Sequence, residues 1–191
     1  MTVKDSQICC RGGALYDAAV ASGPYSHFYA YGQVPQWTTR QLETGDLFHC
    51  DMYGAAVEGY RYDPSRTVIC GGKPTKDQEE VVEGAIAAIE AGVAAIRPGM
   101  RASELYTIVH SVLEERGVEI GDPLHGHSYG LGWESPWLIP SEDAVIGAGM
   151  AIAIETMAGR EGVGCAKFEE NVLVSEDKVE LLTTTPKRPW L

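Results

Sequence analysis

The sequence predicts an α+β fold in which two amphipathic helices stand between two groups of strand-like segments. Thr75 and Gln78 form a capping box ahead of apolar residues at helical spacing, and this pattern ends at Pro98-Gly99. A second apolar stripe of the same period stops at Gly117. Short apolar runs bounded by turn residues precede and follow the helices, which is typical of strands. We therefore expect two helices that back a sheet.

The strand signals before the helices begin at Ala14 to Ala21, which we interpret as one strand. The turn signal Gly45-Asp46 introduces a segment in which Asp51 shares a face with His49. Asp63 follows where another strand leaves a tight turn. Two strands joined by a short connection can place Asp51 and Asp63 side by side.

Two further acids lie in the strand segments after the helices. Glu155 ends the apolar run from Met150 to Ile154, and Glu169 belongs to the run from Phe168 to Val174. A carboxylate in a buried strand costs several kcal/mol of stability unless it is paired, protonated or bound to a metal. The two positions therefore indicate paired or metal-bound acids.

A histidine completes the set of candidate metal ligands. The segment His125-Gly126-His127 offers two imidazoles, and the glycines at positions 126 and 130 favour His127 over His125. Four carboxylates in one pocket would raise the pKa of one another, because like charges a few ångströms apart disfavour ionisation. Divalent cations remove that conflict, and an oxygen-rich site with one imidazole suits Mn, Fe, Co or Zn.

The order and the flanks of these residues resemble the pita-bread family of methionine aminopeptidases, aminopeptidase P, prolidases and creatinase, most of all its Xaa-Pro peptidases. The resemblance covers roughly residues 45–182. The matching segments are Gly59-Tyr60 with Asp63-Pro64-Ser65-Arg66-Thr67, Gly126-His127-Ser128-Tyr129-Gly130 with Glu134-Ser135-Pro136, Ile154-Glu155, and Phe168-Glu169-Glu170-Asn171-Val172-Leu173-Val174. The resemblance implies a curved antiparallel sheet that is backed by helices.

The resemblance also implies a site with two divalent metal ions. Asp51 would bind one ion, His127 and Glu155 would bind the other, and Asp63 and Glu169 would bridge the two. Such ions hold a water or hydroxide that attacks a polarised carbonyl group. Glu155 would also act as the catalytic proton carrier, from that water to the leaving amine.

Two departures from the family pattern concern the substrate side. The family carries a histidine directly before Glu-x-Pro, where this chain has Trp133, and the loss of such a donor costs about 2.7–4 kcal/mol of transition-state stabilisation. His27 is our candidate for a second catalytic histidine upstream of Asp51. We expect Trp133, Glu134 and Tyr60 to bind substrate. Trp133 and Trp137 form either an aromatic wall for an apolar or cationic substrate, or a contact in the core or between subunits.

The family's catalytic domain has two similar halves, each with a helix pair, whereas this chain shows the pair in its second half alone. We interpret residues 1–191 as one catalytic domain that lacks the usual amino-terminal part. Either the chain is the carboxy-terminal portion of a longer protein, or it is a shortened member. In both cases, apolar residues within Ala14 to Val20 would need a cover, so we expect a homo-oligomer or a covering segment.

Composition limits the class of protein and its partners. The chain has 191 residues, of which 45% are hydrophobic, and this is ordinary for a globular domain. A formal net charge of −12 argues against nucleic acid or an anionic membrane as a partner. Five cysteines without framework spacing and a polar start at Met1 to Ser6 predict a cytoplasmic protein.

Three functions fit these observations. The first is a dinuclear metal hydrolase that cleaves a peptide or amide bond, of the Xaa-Pro aminopeptidase or dipeptidase type. The second keeps the fold but acts on a non-peptide small molecule as a hydrolase or lyase, as creatinase does, and Trp133 favours it. The third is an inactive binding module, against which the full set of candidate ligands argues.

Overall fold

The computed structural model describes residues 14–15, 19–24, 26–27, 39–52, 55–120 and 123–188. Two helices are present in these ranges, α1 (Lys76–Ala95) and α2 (Ala102–Arg116). Both confirm the predicted helix positions. The Thr75 hydroxyl accepts a hydrogen bond from Gln78 N, and the Gln78 side chain accepts one from Thr75 N, so the capping box starts α1. Gly117 ends α2 with a left-handed φ of 62°.

The strands form three antiparallel sheets within the described ranges. The strands are β1 (Ala14–Leu15), β2 (Ala19–Ser22), β3 (Leu47–Asp51), β4 (Ala55–Val57), β5 (Tyr60–Tyr62), β6 (Ser65–Ile69), β7 (Gly126–Tyr129), β8 (Trp133–Trp137), β9 (Ala151–Arg160), β10 (Gly164–Val174) and β11 (Val179–Leu181). The five-stranded sheet has the order β11-β10-β9-β7-β8, the second sheet has the order β2-β3-β6, and the third has the order β1-β4-β5.

The hairpin of β9 and β10 places polar and apolar side chains on opposite faces. Glu169 pairs with Glu155 and Asn171 pairs with Ala153, and Lys167 lies two pairs further toward the turn, opposite Met157. Since side chains alternate along a strand, Lys167, Glu169 and Asn171 project from the same face of β10. This face of the sheet carries the candidate site.

The opposite face of the hairpin packs on the helices. Ile152 and Ile154 of β9 and Phe168 and Val172 of β10 are fully buried in one cluster with apolar residues of α1 and α2. Each such side chain contributes about 1.5–3 kcal/mol when it leaves water. A shift of the strand by one residue would expose this entire set, so the apolar face determines which side chains reach the site.

The second sheet docks on β10 through side-chain hydrogen bonds. The Thr67 hydroxyl donates to Lys167 O and accepts from Lys167 N, both at 2.8 Å. Arg66 donates to Glu169 O at 2.7 Å. The Asn171 side chain donates to Asp63 O at 2.6 Å. These contacts hold the loop that carries Asp63 above the polar face of β10.

Both ends of the predicted strand from Ala14 to Ala21 are strands in the structure. They are β1 and β2, and residues 16–18 between them lie outside the described ranges. Ala14 pairs with Ala56 and Ala19 pairs with Asp51, so the two ends keep the same antiparallel register with the segment that contains β3 and β4. Of the predicted apolar surface, Ala19 is buried and Val20 is 49% exposed.

Candidate metal centre

Three of the predicted metal ligands come together in one buried cluster. Asp63 follows β5, His127 lies on β7 and Glu169 lies on β10, so three separate elements contribute. One ligand atom of each residue lies within 4.8 Å of the other two. All three side chains are almost fully buried. A divalent cation that is bound by oxygen and imidazole ligands at about 2.0–2.2 Å fits a cluster of this size.

Three of the four carboxylate oxygens of this cluster lack a hydrogen-bond donor within the described residues, namely both oxygens of Glu169 and Asp63 Oδ1. Burial, and then the charges of Asp63, Glu155 and Asp51, raise the pKa of Glu169 well above its usual value. Burial and the Asp51 charge raise the pKa of Asp63 to about 7. Buried acids without donors are costly, and a bound cation would offset that cost, so these residues fit a metal ion.

The imidazole of His127 is oriented by the backbone. Its Nδ1 atom lies 3.1 Å from Ser128 O, and its Nε2 atom lies 3.5 Å from Asp63 Oδ2. A proton on Nδ1 donates to the carbonyl group and leaves the Nε2 lone pair directed at the cluster. Burial lowers the pKa of His127, which favours the neutral form that metals bind.

The backbone conformation and the close neighbouring strand require a glycine at position 126, directly before His127. Its φ is 136°, which L residues with a side chain rarely adopt. A Cβ atom there would lie 2.0 Å from Ala153 O on the neighbouring strand. The glycine therefore lets β7 approach β9 closely enough to place His127 on the same face as Glu155.

Asp51 and Glu155, the other two predicted ligands, meet at a lysine. Lys167 Nζ lies 2.8 Å from Asp51 Oδ2 and 2.6 Å from Glu155 Oε2. All three side chains are buried. Burial alone would raise the pKa of Glu155, but the Lys167 and His127 charges hold it below its usual value. The sequence prediction did not include Lys167, although it lies two residues before Glu169 and therefore shares its face of β10.

The rival histidine, His125, points away from this cluster. Its Nε2 atom lies 3.0 Å from His110 Nδ1, and its ring stacks on Tyr106. Burial and then His110 lower the pKa of His125 to about 4. His49 is also fully buried, and burial followed by the Lys167 charge lowers its pKa to about 3. The structure thus places His127, and not His125, beside Asp63 and Glu169.

Comparison with known proteins identifies the family. A sequence model of metallopeptidase family M24 matches residues 5–176, which is most of the chain. The chain belongs to metallopeptidase family M24.

Several relatives of this M24 chain are named as Xaa-Pro dipeptidases or prolidases. The Xaa-Pro dipeptidase of Pyrococcus furiosus is 31% identical over 176 residues, which cover 90% of this chain and 48% of the relative. The prolidase structure from Pyrococcus horikoshii matches with a TM-score of 0.79 and 28% identity, over 93% of this chain and 50% of that one. The predicted pita-bread fold is confirmed. The M24 chain spans about half the length of the curated relatives it matches.

A relative with a different kind of name also matches. The agropine synthesis cyclase of Rhizobium rhizogenes is 30% identical over 153 residues, which cover 78% of this chain and 38% of the relative. The similarity of this M24 chain therefore extends beyond proteins that are named as peptidases.

Of the predicted substrate-binding residues of the M24 chain, Trp133 contacts the cluster directly, and Tyr60 and Glu134 lie near Asp63 and Trp133 in sequence. Trp133 is 37% exposed, and its indole N–H donates to Asp63 Oδ2 at 2.6 Å. The Arg61 guanidinium lies 5.0 Å from the Trp133 ring centre. Tyr60 is 64% exposed and Glu134 is also exposed. Trp133 thus lies at the surface beside the candidate ligands, and the interpretation as a core residue does not hold for it.

Trp137 and His27 take other positions in the M24 chain. The Trp137 ring lies 5.3 Å from the His127 ring, so it packs beside the imidazole. The His27 ring nitrogen Nδ1 lies 2.8 Å from Pro24 O, and the neighbouring Ser26 hydroxyl accepts from Cys165 N. Cys165 lies four residues before Glu169, or about 13 Å along an extended strand. The catalytic role of His27 stays a prediction.

Proposed function

We propose that this chain is a metal-dependent hydrolase that cleaves the amide bond of a small peptide of the Xaa-Pro type. The observation that carries the proposal is the buried cluster of Asp63, His127 and Glu169, whose ligand atoms lie within 4.8 Å of one another. Membership of the M24 family and the relatives named as Xaa-Pro dipeptidases support the choice of reaction and substrate.

Asp63, His127 and Glu169 would hold a divalent ion in this proposal. When bound, the ion supplies polarisation of the substrate carbonyl group and lowers the pKa of a water molecule. The donor set of two carboxylates and one imidazole suits Mn, Fe, Co or Zn. His127 presents Nε2 because its Nδ1 atom faces Ser128 O.

Glu155 is the proposed proton carrier. It lies directly across the hairpin from Glu169, on the same face of the sheet, so its carboxylate would be near an ion held by Glu169. Its lowered pKa keeps it ionised at neutral pH, which is the form that accepts a proton from water. The Lys167 ammonium fixes Glu155 Oε2 at 2.6 Å and thereby orients the group.

Trp133, Tyr60 and Glu134 would bind the substrate. Trp133 and Tyr60 expose aromatic surface beside Asp63, which suits the ring of a proline or another apolar side chain. Glu134 is exposed on the same strand as Trp133, where a carboxylate can contact a substrate amine. His27 remains a candidate for a second proton donor.

Metal analysis combined with a substrate screen tests this proposal. Purified protein would be stripped with chelator, reloaded with Mn, Co, Zn or Fe, and assayed with Xaa-Pro dipeptides and with matched dipeptides that lack proline. We expect metal-dependent hydrolysis of the proline peptides. Asp63→Asn should remove both metal binding and turnover, whereas Asp177→Asn, at an exposed acid, should change neither. A protein that binds no divalent ion would overturn the proposal.

A non-peptide small molecule is the second candidate substrate. Two observations favour it: Trp133 occupies the position of the family's substrate-side histidine, and a cyclase of opine synthesis is among the relatives. Small amides and lactams in the same screen separate the candidates. Turnover of these compounds without hydrolysis of Xaa-Pro dipeptides would establish the second candidate.

Partners and location follow the sequence predictions. In the part of the chain that the structure describes, neither helix has the length and apolar character needed to cross a bilayer. The proposed partner is the small substrate alone, without nucleic acid or membrane. The homo-oligomer and the cytoplasmic location remain predictions, and sedimentation of the purified chain measures the first of them.

A further inference from the structure

Lys167 occupies the centre of the acidic pocket in a fixed position. Its backbone N and O atoms both bond to the Thr67 hydroxyl, and its Nζ atom lies between Asp51 Oδ2 and Glu155 Oε2. The side chains of Lys167, Asp51 and Glu155 are at most 6% exposed. The ammonium is therefore a built part of the pocket, in contrast to an exposed lysine that samples many rotamers.

The position of this ammonium matters because of the acids that it joins. In the two-ion arrangement implied by the family resemblance, Asp51 binds one ion and Glu155 binds the other. Here a single ammonium contacts both, at distances typical of charge-assisted hydrogen bonds. The ammonium thus places positive charge between two carboxylates and neutralises them, as a metal ion would in a two-ion site.

A second divalent ion does not fit beside this ammonium. An ion bound by Asp51 would need metal–oxygen distances of about 2.0–2.2 Å. It would then share the carboxylate with Nζ, which lies 2.8 Å from Asp51 Oδ2. Two cations at such a distance repel strongly in a buried pocket of low dielectric constant. In the cluster of Asp63, His127 and Glu169, Asp63 Oδ2 accepts from the neutral Trp133 indole. Asp63 Oδ1 and both carboxylate oxygens of Glu169 have no donor within the described residues.

We infer that this chain binds a single divalent ion, at Asp63, His127 and Glu169, and that the Lys167 ammonium replaces the second ion by neutralising Asp51 and Glu155. The inference rests on the proposed metal centre and limits it to one ion. Asp51 becomes a positioning residue that holds Lys167, and Glu155 is left as a proton carrier that is not bound to metal.

Counting ions in variants of Lys167 tests this inference. Wild-type protein, Lys167→Met, Lys167→Gln and the control Lys178→Met, at an exposed lysine, would be titrated with Mn²⁺ in a calorimeter after removal of metal. Methionine and glutamine preserve much of the side-chain volume but lack the charge. We expect one ion per chain in the wild type and the control, and two in both Lys167 variants.

Electron paramagnetic resonance of the Mn²⁺-loaded proteins gives an independent readout. An isolated ion gives resolved hyperfine lines, whereas two ions about 3.5–4 Å apart couple and broaden the spectrum. We expect the first spectrum for the wild type and the second for the Lys167 variants.

The outcomes distinguish this inference from the proposed function. Two ions in the wild type would overturn the inference and leave the metal hydrolase intact, and wild type without any ion would overturn both. A folded Lys167→Met protein that still binds one ion would overturn the role of Lys167. If the Lys167 variants do not fold, the ion count and the spectrum of the wild type decide the question.

Discussion

Glu155 and Glu169 are direct cross-strand partners on the polar face of the β9–β10 hairpin. Carboxylates in this arrangement repel each other when both are ionised. Among the described residues, only one of the two has a positively charged partner. Glu155 contacts the Lys167 ammonium, whereas no donor in the described ranges reaches Glu169. Glu169 is therefore the acid that most needs a metal ion.

The first prediction contrasts Glu169 with its neighbour Glu170. Glu169→Gln should weaken metal binding at least about a hundredfold, since even partners outside the ligand set are worth about 10–100-fold. Without metal, this variant should melt at the same temperature as the wild type or higher. Burial of the wild-type carboxyl requires either a buried charge or the uptake of a proton, whereas the amide of the variant is neutral in both the folded and the unfolded state. Calorimetric titration and thermal unfolding measure the two effects.

Glu170→Gln is the matched control, because Glu170 lies on the other face of β10 and pairs with Arg66 at 3.0 Å. The loss of one partner from such a buried pair typically costs about 3–5 kcal/mol of stability. We expect this variant to be less stable and still to bind metal. The reverse pattern for the two variants would contradict the assignment of Glu169 as a ligand.

The second prediction concerns pH and metal affinity. Burial and the Asp51 charge raise the pKa of Asp63 to about 7, so this carboxyl holds a proton in the metal-free protein below about pH 7, and the pKa of Glu169 is raised in the same direction. A metal ion must displace these protons. Affinity should therefore fall by about tenfold per pH unit for each proton as the pH drops below about 7. Titrations at several pH values, with proton release measured in buffers of different ionisation enthalpy, check this slope.

The same shift predicts how pH changes the stability of the metal-free protein. Unfolded Asp63 ionises near its ordinary pKa of 3.8, whereas folded Asp63 ionises near 7. Between these values the folded state binds more protons, so the free energy of unfolding should decrease as pH rises and level off above about 7. Asp63→Asn should remove this contribution. Identical pH profiles for wild type and variant, both without metal, would speak against the raised pKa.

The third prediction tests the hydrogen bond between Trp133 and Asp63. The indole N–H lowers the pKa of Asp63, opposing the larger effect of burial. A hydrogen bond to a charged group is worth about 1.5–3 kcal/mol, so Trp133→Phe should move the pH midpoint of metal binding upward by about one to two units. Trp137→Phe removes an indole that packs on His127 instead and serves as the control. An unchanged midpoint in Trp133→Phe would show that this bond has no effect on the ligand.

The fourth prediction separates the two glycines around His127. A Cβ atom at Gly126 would clash with Ala153 O, whereas the nearest atom to a Cβ at Gly130 is Glu134 Oε1 at 3.7 Å. Gly126→Ala should therefore cost about 4 kcal/mol or more, and Gly130→Ala about 1 kcal/mol or less. Urea unfolding of the two variants measures the difference. Equal stability would mean that β7 can move away from β9 without penalty.

Local sequence patterns were sufficient for the parts of the structure that depend on short-range physics. The capping box at Thr75 and the stop at Gly117 each act within one helical turn, and both helices follow them. The alternation of side chains along β10 also contains Lys167, two positions before Glu169, so the lysine in the pocket was accessible to the same reasoning.

Long-range contacts were not accessible in this way. Trp133 and Asp63 are separated by 70 residues, and nothing near either residue indicates that the indole reaches the carboxylate. The pairing of Asp51 and Glu155 with Lys167 likewise requires the second sheet to dock on β10.

The turn between β9 and β10 has a consequence for how this chain tolerates change. Its three residues, Glu161 to Val163, connect Arg160 to its partner Gly164 and make no part of the pocket. If one residue were inserted there and β10 slid by one position, Phe168 or Glu170 would replace Glu169 opposite Glu155. A slide by two would bring Lys167 or Asn171 to that place instead. The turn is therefore constrained in length as well as in sequence, where Gly162 has a φ of 76° that favours glycine and Val163 packs against the core.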